Sequence, residues 1–91
     1  MKSAGGDKIS VDVLNVVGYM LLKEGKIDEA LQIFEHNAGE FADDPNVYDS
    51  LGEAYGLKGD KPNAVKNYKL ALEKDPLNAN AMEILRHLES R

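Results

Sequence analysis

The sequence predicts an all-α protein, an α-solenoid of two helical hairpins closed by one further helix. Three observations predict it. Gly18 and Gly52, Gly25 and Gly59, and Ala30 and Ala64 each stand 34 residues apart. A fixed internal period marks a copied unit, and such units bury their core against one another. The residues between these markers agree in kind, Leu14 with Tyr48, Val17 with Leu51, Leu21 with Tyr55, Phe34 with Tyr68 and Val13 with Val47. Within each copy the apolar residues recur at helical spacing.

Residues 1–10, with Gly5-Gly6, read as a mobile arm without an apolar signal core. The first helix is expected over about 11–23. Val13, Leu14, Val17, Leu21 and Leu22 recur there, Ser10 serves as N-cap, and Gly25 suits the left-handed turn that ends it. The second is expected over about 27–39, with Ile27, Ala30, Leu31, Phe34 and Ala38 on one face. Asp28 and Glu29 occupy its first turn, where the helix dipole favours negative charge. Asp44-Pro45 opens the third, because Asp caps and Pro loses no partner at the first helical position. That helix runs to about 58, and Gly59 turns the chain. Asp60 caps a fourth, tolerant of Pro62 in its first turn and ended near residue 74 by Asp75-Pro76. Asn78 caps a fifth over about 79–89, with Met82, Leu85 and Leu88 facing inward and Glu83, Arg86, Glu89 and Arg91 left to solvent.

The 91 residues suffice for one small domain. Eleven Lys and Arg against sixteen Asp and Glu leave a net charge of −5. That disfavours nucleic acid and anionic membrane, which both need a basic footprint. With no cysteine, disulfides and thiolate metal sites are excluded. No apolar run approaches the ~20 residues that span a bilayer. The compartment stays open, with cytoplasm the reading that the missing signal core favours.

Gly18 and Gly52 each cost about 1 kcal/mol inside a helix relative to alanine. Close approach of the two helices of each copy offsets that cost, with Ala30 and Ala64 opposite. Phe34 and Tyr68 are then expected to fill the far end of each hairpin. All of these are scaffold residues.

The first copy spells Leu14-x-x-Val17-Gly18-x-x-Leu21 followed by Ala30-x-x-x-Phe34. The second spells Tyr48-x-x-Leu51-Gly52-x-x-Tyr55, then Ala64-x-x-x-Tyr68 and Pro76. This pattern resembles the tetratricopeptide repeat, a helix-turn-helix unit of about 34 residues. The resemblance covers residues 11–78, and the last helix resembles the one that commonly closes such arrays. It divides the chain into an arm (1–10), repeat one (11–44), repeat two (45–78) and a capping helix (79–91). The first copy departs at Asn37, where the second has Ala71, and at Ala42, where the second has Pro76.

The resemblance implies a right-handed superhelix whose concave side is lined by the first helix of each copy. On that side would lie Asp12, Asn15, Tyr19, Leu22, Asn46, Asp49, Glu53 and Gly56, with Glu83 and His87 added by the last helix. Four of these ten residues are carboxylates and none is Lys or Arg. Some members of this family grip the C-terminal carboxylate of chaperone tails with Lys, Asn and Arg. The equivalent residues here look like Asn15, Tyr19, Asp49, Glu53, Glu83 and His87, of which only Asn15 keeps that chemistry. Like-charge repulsion opposes an acidic ligand. A basic or neutral protein segment is the expected partner, with Tyr19 and Leu22 giving apolar contact and Gly56 opening a notch or relieving crowding.

His36 and His87 lack a second histidine at helical metal spacing, and Glu83 with His87 supplies two ligands at most. No nucleophile with a plausible base is found, and no glycine-rich phosphate loop occurs. The expectation is a non-catalytic interaction module without cofactor or metal. Two alternatives stand beside it. One is self-association, including a homodimer through the N-terminal helix, because Val11, Val13, Val16, Val17, Met20, Leu21 and Leu22 cannot all face one neighbour. The other rests on residues 46–55, which look like tetratricopeptide segments found downstream of serine-hydrolase-like domains in bacteria. That likeness implies an accessory C-terminal domain of a larger enzyme.

Overall fold

The computed structural model describes residues 11–90; the expected arm (1–10), the Ser10 cap and Arg91 lie outside the described residues. The fold is all-α. Among the described residues, five helices follow one another as α1 (Val11–Lys23), α2 (Ile27–Glu40), α3 (Pro45–Lys58), α4 (Lys61–Lys74) and α5 (Ala79–Glu89). No strand occurs among the described residues. Each helix packs mainly on its neighbours in the chain, and α1 also reaches α3.

The helix ends follow local chemistry. The Asp44 carboxylate accepts from the Asn46 backbone N–H at 2.9 Å, Asp60 accepts from that of Asn63 at 3.2 Å, and the Asn78 amide oxygen accepts from that of Ala81 at 3.0 Å. Pro45 and Pro62 sit in the first turns, where no hydrogen bond is lost. The turns after α1 and α3 are the same motif twice. Gly25 has φ 80° and Gly59 φ 89°. Lys26 N–H reaches the Leu21 carbonyl at 2.9 Å while Gly25 N–H reaches Leu22 at 3.0 Å. In the second copy Asp60 N–H reaches Tyr55 at 2.9 Å and Gly59 N–H reaches Gly56 at 3.1 Å. This double closure needs the left-handed conformation that glycine adopts without strain.

Packing within each copy departs from expectation in one respect. An added Cβ on Gly18 would lie 2.2 Å from Cε1 of Phe34, and one on Gly52 would lie 2.7 Å from Cε2 of Tyr68. The bare glycine is therefore the seat of the aromatic ring, which fills the helix crossing itself and not the far end of the hairpin. Ala30, Phe34, Leu51 and Ala54 are buried with Leu31 in one cluster, flanked by Tyr19, Leu21, Leu22, Ile27, Ala38, Tyr48 and Tyr55. Tyr68, Ala71 and Ala81 form a second, flanked by Tyr48, Leu72, Ile84, Leu85 and Leu88.

Two further differences have physical reasons. Helix α2 runs one residue beyond the expected Gly39, to Glu40, and closes with the Phe41 N–H on the Asn37 carbonyl at 2.9 Å. The Asn37 side chain is fully buried, and its Nδ2 donates to the Val11 carbonyl at 3.1 Å, pinning the end of α2 to the start of α1. In α5, Met82 was expected inside but is 45% exposed; Ala81 is buried and Ile84 packs on the second cluster. The smaller Ala81 lets α5 approach α4 closely, which turns Met82 outward. On α1, the apolar Val13, Val16, Val17 and Met20 all face out, at 52%, 58%, 37% and 57% exposure.

The α2–α3 junction is latched by polar contacts at its rim. Tyr48 donates to the Ala42 carbonyl at 2.6 Å, Tyr55 donates to the Glu35 carboxylate at 2.7 Å, and Lys58 pairs with Asp28 at 2.8 Å.

Candidate partner-binding face

A polar row runs from α1 across α3 to the start of α5. Asn15 and Tyr19 lie one turn apart on α1, and Asp49, Ser50 and Glu53 lie within about one turn on α3. Helical spacing of three to four residues brings each set to one side of its helix. The Ser50 hydroxyl donates to the Asn15 amide oxygen. The Tyr19 hydroxyl donates to Glu53 Oε1 at 2.8 Å. The Asn78 amide donates to Asp49 Oδ2 at 2.7 Å, so the residue that caps α5 also ties α5 to α3.

Tyr19 is half-buried, and its ring meets that of Phe34 edge-on, with centroids 5.3 Å apart. Its apolar body is thus held by the core while its hydroxyl stays on the polar row. Burial pushes that hydroxyl up to about 12; the Ser50 hydrogen bond opposes the shift and Glu53 adds to it. Burial also raises the Asp49 carboxyl above its ordinary value of 3.8, against the Asn78 hydrogen bond and with help from Asp75 and Glu53. Asp49 Oδ1 is buried without a hydrogen-bond partner. A lone carboxylate oxygen out of reach of water carries an uncompensated desolvation cost.

The remaining expected residues sit apart from this row's hydrogen bonds. Leu22 is half-buried against the first cluster. Asn46 is exposed at the start of α3, its backbone engaged by the Asp44 cap. Gly56 is exposed, and an added Cβ there would meet nothing within 4 Å. Glu83 and His87 are both exposed on α5, where Glu83 lies 3.9 Å from Arg86.

Sequence reasoning missed Ser50 and Asn78 as members of the row. Ser50 stands where the first copy has Val16, and a polar residue at an otherwise apolar repeat position was the available signal. In the sequence Asn78 reads as a cap and nothing more, which hides its second bond. A shallow hollow between α4 and α5, lined by Lys61, Pro62, Val65, Leu88 and Glu89, had no sequence signal either.

Among the described residues, no three His, Cys, Asp or Glu side chains cluster so as to hold a metal ion, and no helix is long and apolar enough to cross a membrane. The chain matches no family model and no curated protein.

Proposed function

We propose that the chain is a non-catalytic protein-interaction module of tetratricopeptide type. In this reading, residues 11–44 and 45–78 are stacked hairpins of a right-handed solenoid, α5 closes the array, and a basic or neutral peptide lies on the side formed by α1, α3 and α5. The observation that carries it is the row itself: Tyr19 bonded to Glu53 across two helices, with Asp49 beside them.

The chemistry favours a cationic or neutral ligand. Glu53 is exposed and carries its charge where a ligand can reach it. Asp49 is partly desolvated, so a positive charge placed on the surface beside it relieves that cost through space, whereas another carboxylate raises it. Tyr19 offers a ring edge whose rotamer is held by Phe34, so little side-chain entropy is lost on contact.

Calorimetric titration with two helical peptides of equal length, one carrying lysines and the other glutamates at the same positions, tests this reading. The lysine peptide is expected to bind more tightly, with affinity that falls as salt rises. Glu53→Gln should weaken it, and Tyr19→Phe, which keeps the ring but frees Glu53, should weaken it less. Tighter binding of the glutamate peptide would overturn the proposal.

A further inference from the structure

The outward side of α1 repeats a register that the rest of the molecule buries. Val16, Val17 and Met20 are 58%, 37% and 57% exposed. Thirty-four residues on, Ser50, Leu51 and Ala54 are 2%, 2% and 0% exposed. One period further, Ile84, Leu85 and Leu88 pack on the cluster of Tyr68 and Ala71. In α3, Leu51 and Ala54 pack with Ala30, Leu31 and Phe34 of α2 while Ser50 bonds Asn15 of α1, and in α5 all three positions pack toward α4. In α1 they carry three large apolar side chains where α3 makes do with a serine, a leucine and an alanine.

We propose that this stripe is covered by the same stripe of a second copy of the chain, the two α1 helices running antiparallel about a twofold axis. A second copy has no free helix of the α2 or α4 kind to offer, because α3 covers α2 and α5 covers α4. Its α1 carries the densest run of exposed large apolar side chains among the described residues, Val16, Val17 and Met20 within two turns. Charge sets the direction. Asp12 and Lys23 flank the stripe on one side of α1, at opposite ends, and among the described residues neither joins an ion pair. In an antiparallel pair the same flank of each helix meets. Asp12 of each copy then falls within a lysine's reach of Lys23 of the other, twice over. In a parallel pair the flank of Asp12 would instead meet the opposite flank of its partner, with the two Lys23 at the far end. Glu24, at the edge of the stripe, is neutralised by Lys26 at 3.4 Å. The axis lies between Val16 and Met20, so Val16 of one copy packs on Met20 of the other. The arrangement is isologous and closed, and does not propagate into filaments. It rests on α1 alone and does not depend on the peptide face.

Sedimentation equilibrium of the full chain tests the proposal. The apparent mass should rise with concentration from 10.0 kDa toward twice that value. Val16→Glu should hold the chain monomeric while its helical circular dichroism is unchanged, since the position is exposed. Asp12→Lys and Lys23→Glu should each weaken the dimer about tenfold at low salt, and the double variant should restore it. That rescue is specific to the antiparallel register. It must appear even though both swaps oppose the helix dipole and lower the stability of α1 itself. A chain that stays at 10.0 kDa at every concentration, a dimer indifferent to Val16→Glu, or a double variant no tighter than either single one would each overturn the proposal.

Discussion

The two copies of this chain solve one packing problem with different residues. In the first, Gly18 seats Phe34; in the second, Gly52 seats Tyr68. Phe34 is 0% exposed and lies in the larger cluster, whereas Tyr68 is 4% exposed beside the smaller one that α5 completes. The seats differ in tightness too, since an added Cβ would come to 2.2 Å of the Phe34 ring but only to 2.7 Å of the Tyr68 ring. The lesson is that the motif conserves a relation, a bare backbone against a flat ring, while the depth of burial follows from what lies on either side. The first copy has α3 to cover it, and the second has only the shorter α5.

The two rings carry the largest difference in stability between the copies. Phe34→Ala should cost about 3–5 kcal/mol in denaturant unfolding, and Tyr68→Ala should fall at the lower end of that range. Equal losses would mean that the two cores are not graded as their burial indicates. The seats give a smaller effect. Alanine at either glycine regains about 1 kcal/mol of helix propensity but forces the ring to move. Gly18→Ala should be a net loss of about 1–2 kcal/mol, and Gly52→Ala under about 1 kcal/mol. A thermal melt in which Gly52→Ala is the more damaging would reverse the ranking.

The finest distinction is the hydroxyl that Tyr68 has and Phe34 lacks. Burial, with Glu53 and Asp49 nearby, raises the Tyr68 hydroxyl well above its ordinary 10.0. Tyr19 and Tyr55 are each raised to about 12, Tyr19 chiefly by burial and Tyr55 chiefly by its bond to Glu35. All three keep their protons in the folded chain after the unfolded chain has begun to lose them. The folded state then binds more protons, so stability is complete below pH 10.0 and declines as pH rises above it. Tyr68→Phe should flatten that alkaline decline more than Tyr19→Phe does. Unfolding midpoints measured across the alkaline range will show the difference, and an unchanged slope in Tyr68→Phe would deny the shift.

Helix limits were legible almost residue by residue because their causes are local. Asp44, Asp60 and Asn78 cap within their own first turns, and Gly25 and Gly59 adopt a conformation their neighbours in sequence already require. The candidate site was legible only in part. Tyr19, Asp49 and Glu53 stood out by type and register. Ser50 and Asn78 did not, because what recruits them is a group about 30 residues away, which periodicity cannot name.

The order and extent of the helices, and the 34-residue period that relates them, therefore reside in the chain itself, since capping and glycine turns act across four or five residues. Assembly alone decided that the rings lie on the glycines, that Asn37 turns inward to hold the Val11 carbonyl, and that Ala81 displaces Met82 from the interior. Those outcomes depend on the shape of a neighbouring helix. A side chain's burial is settled by the volume and polarity it meets across that gap, which no count of positions along one strand of sequence contains.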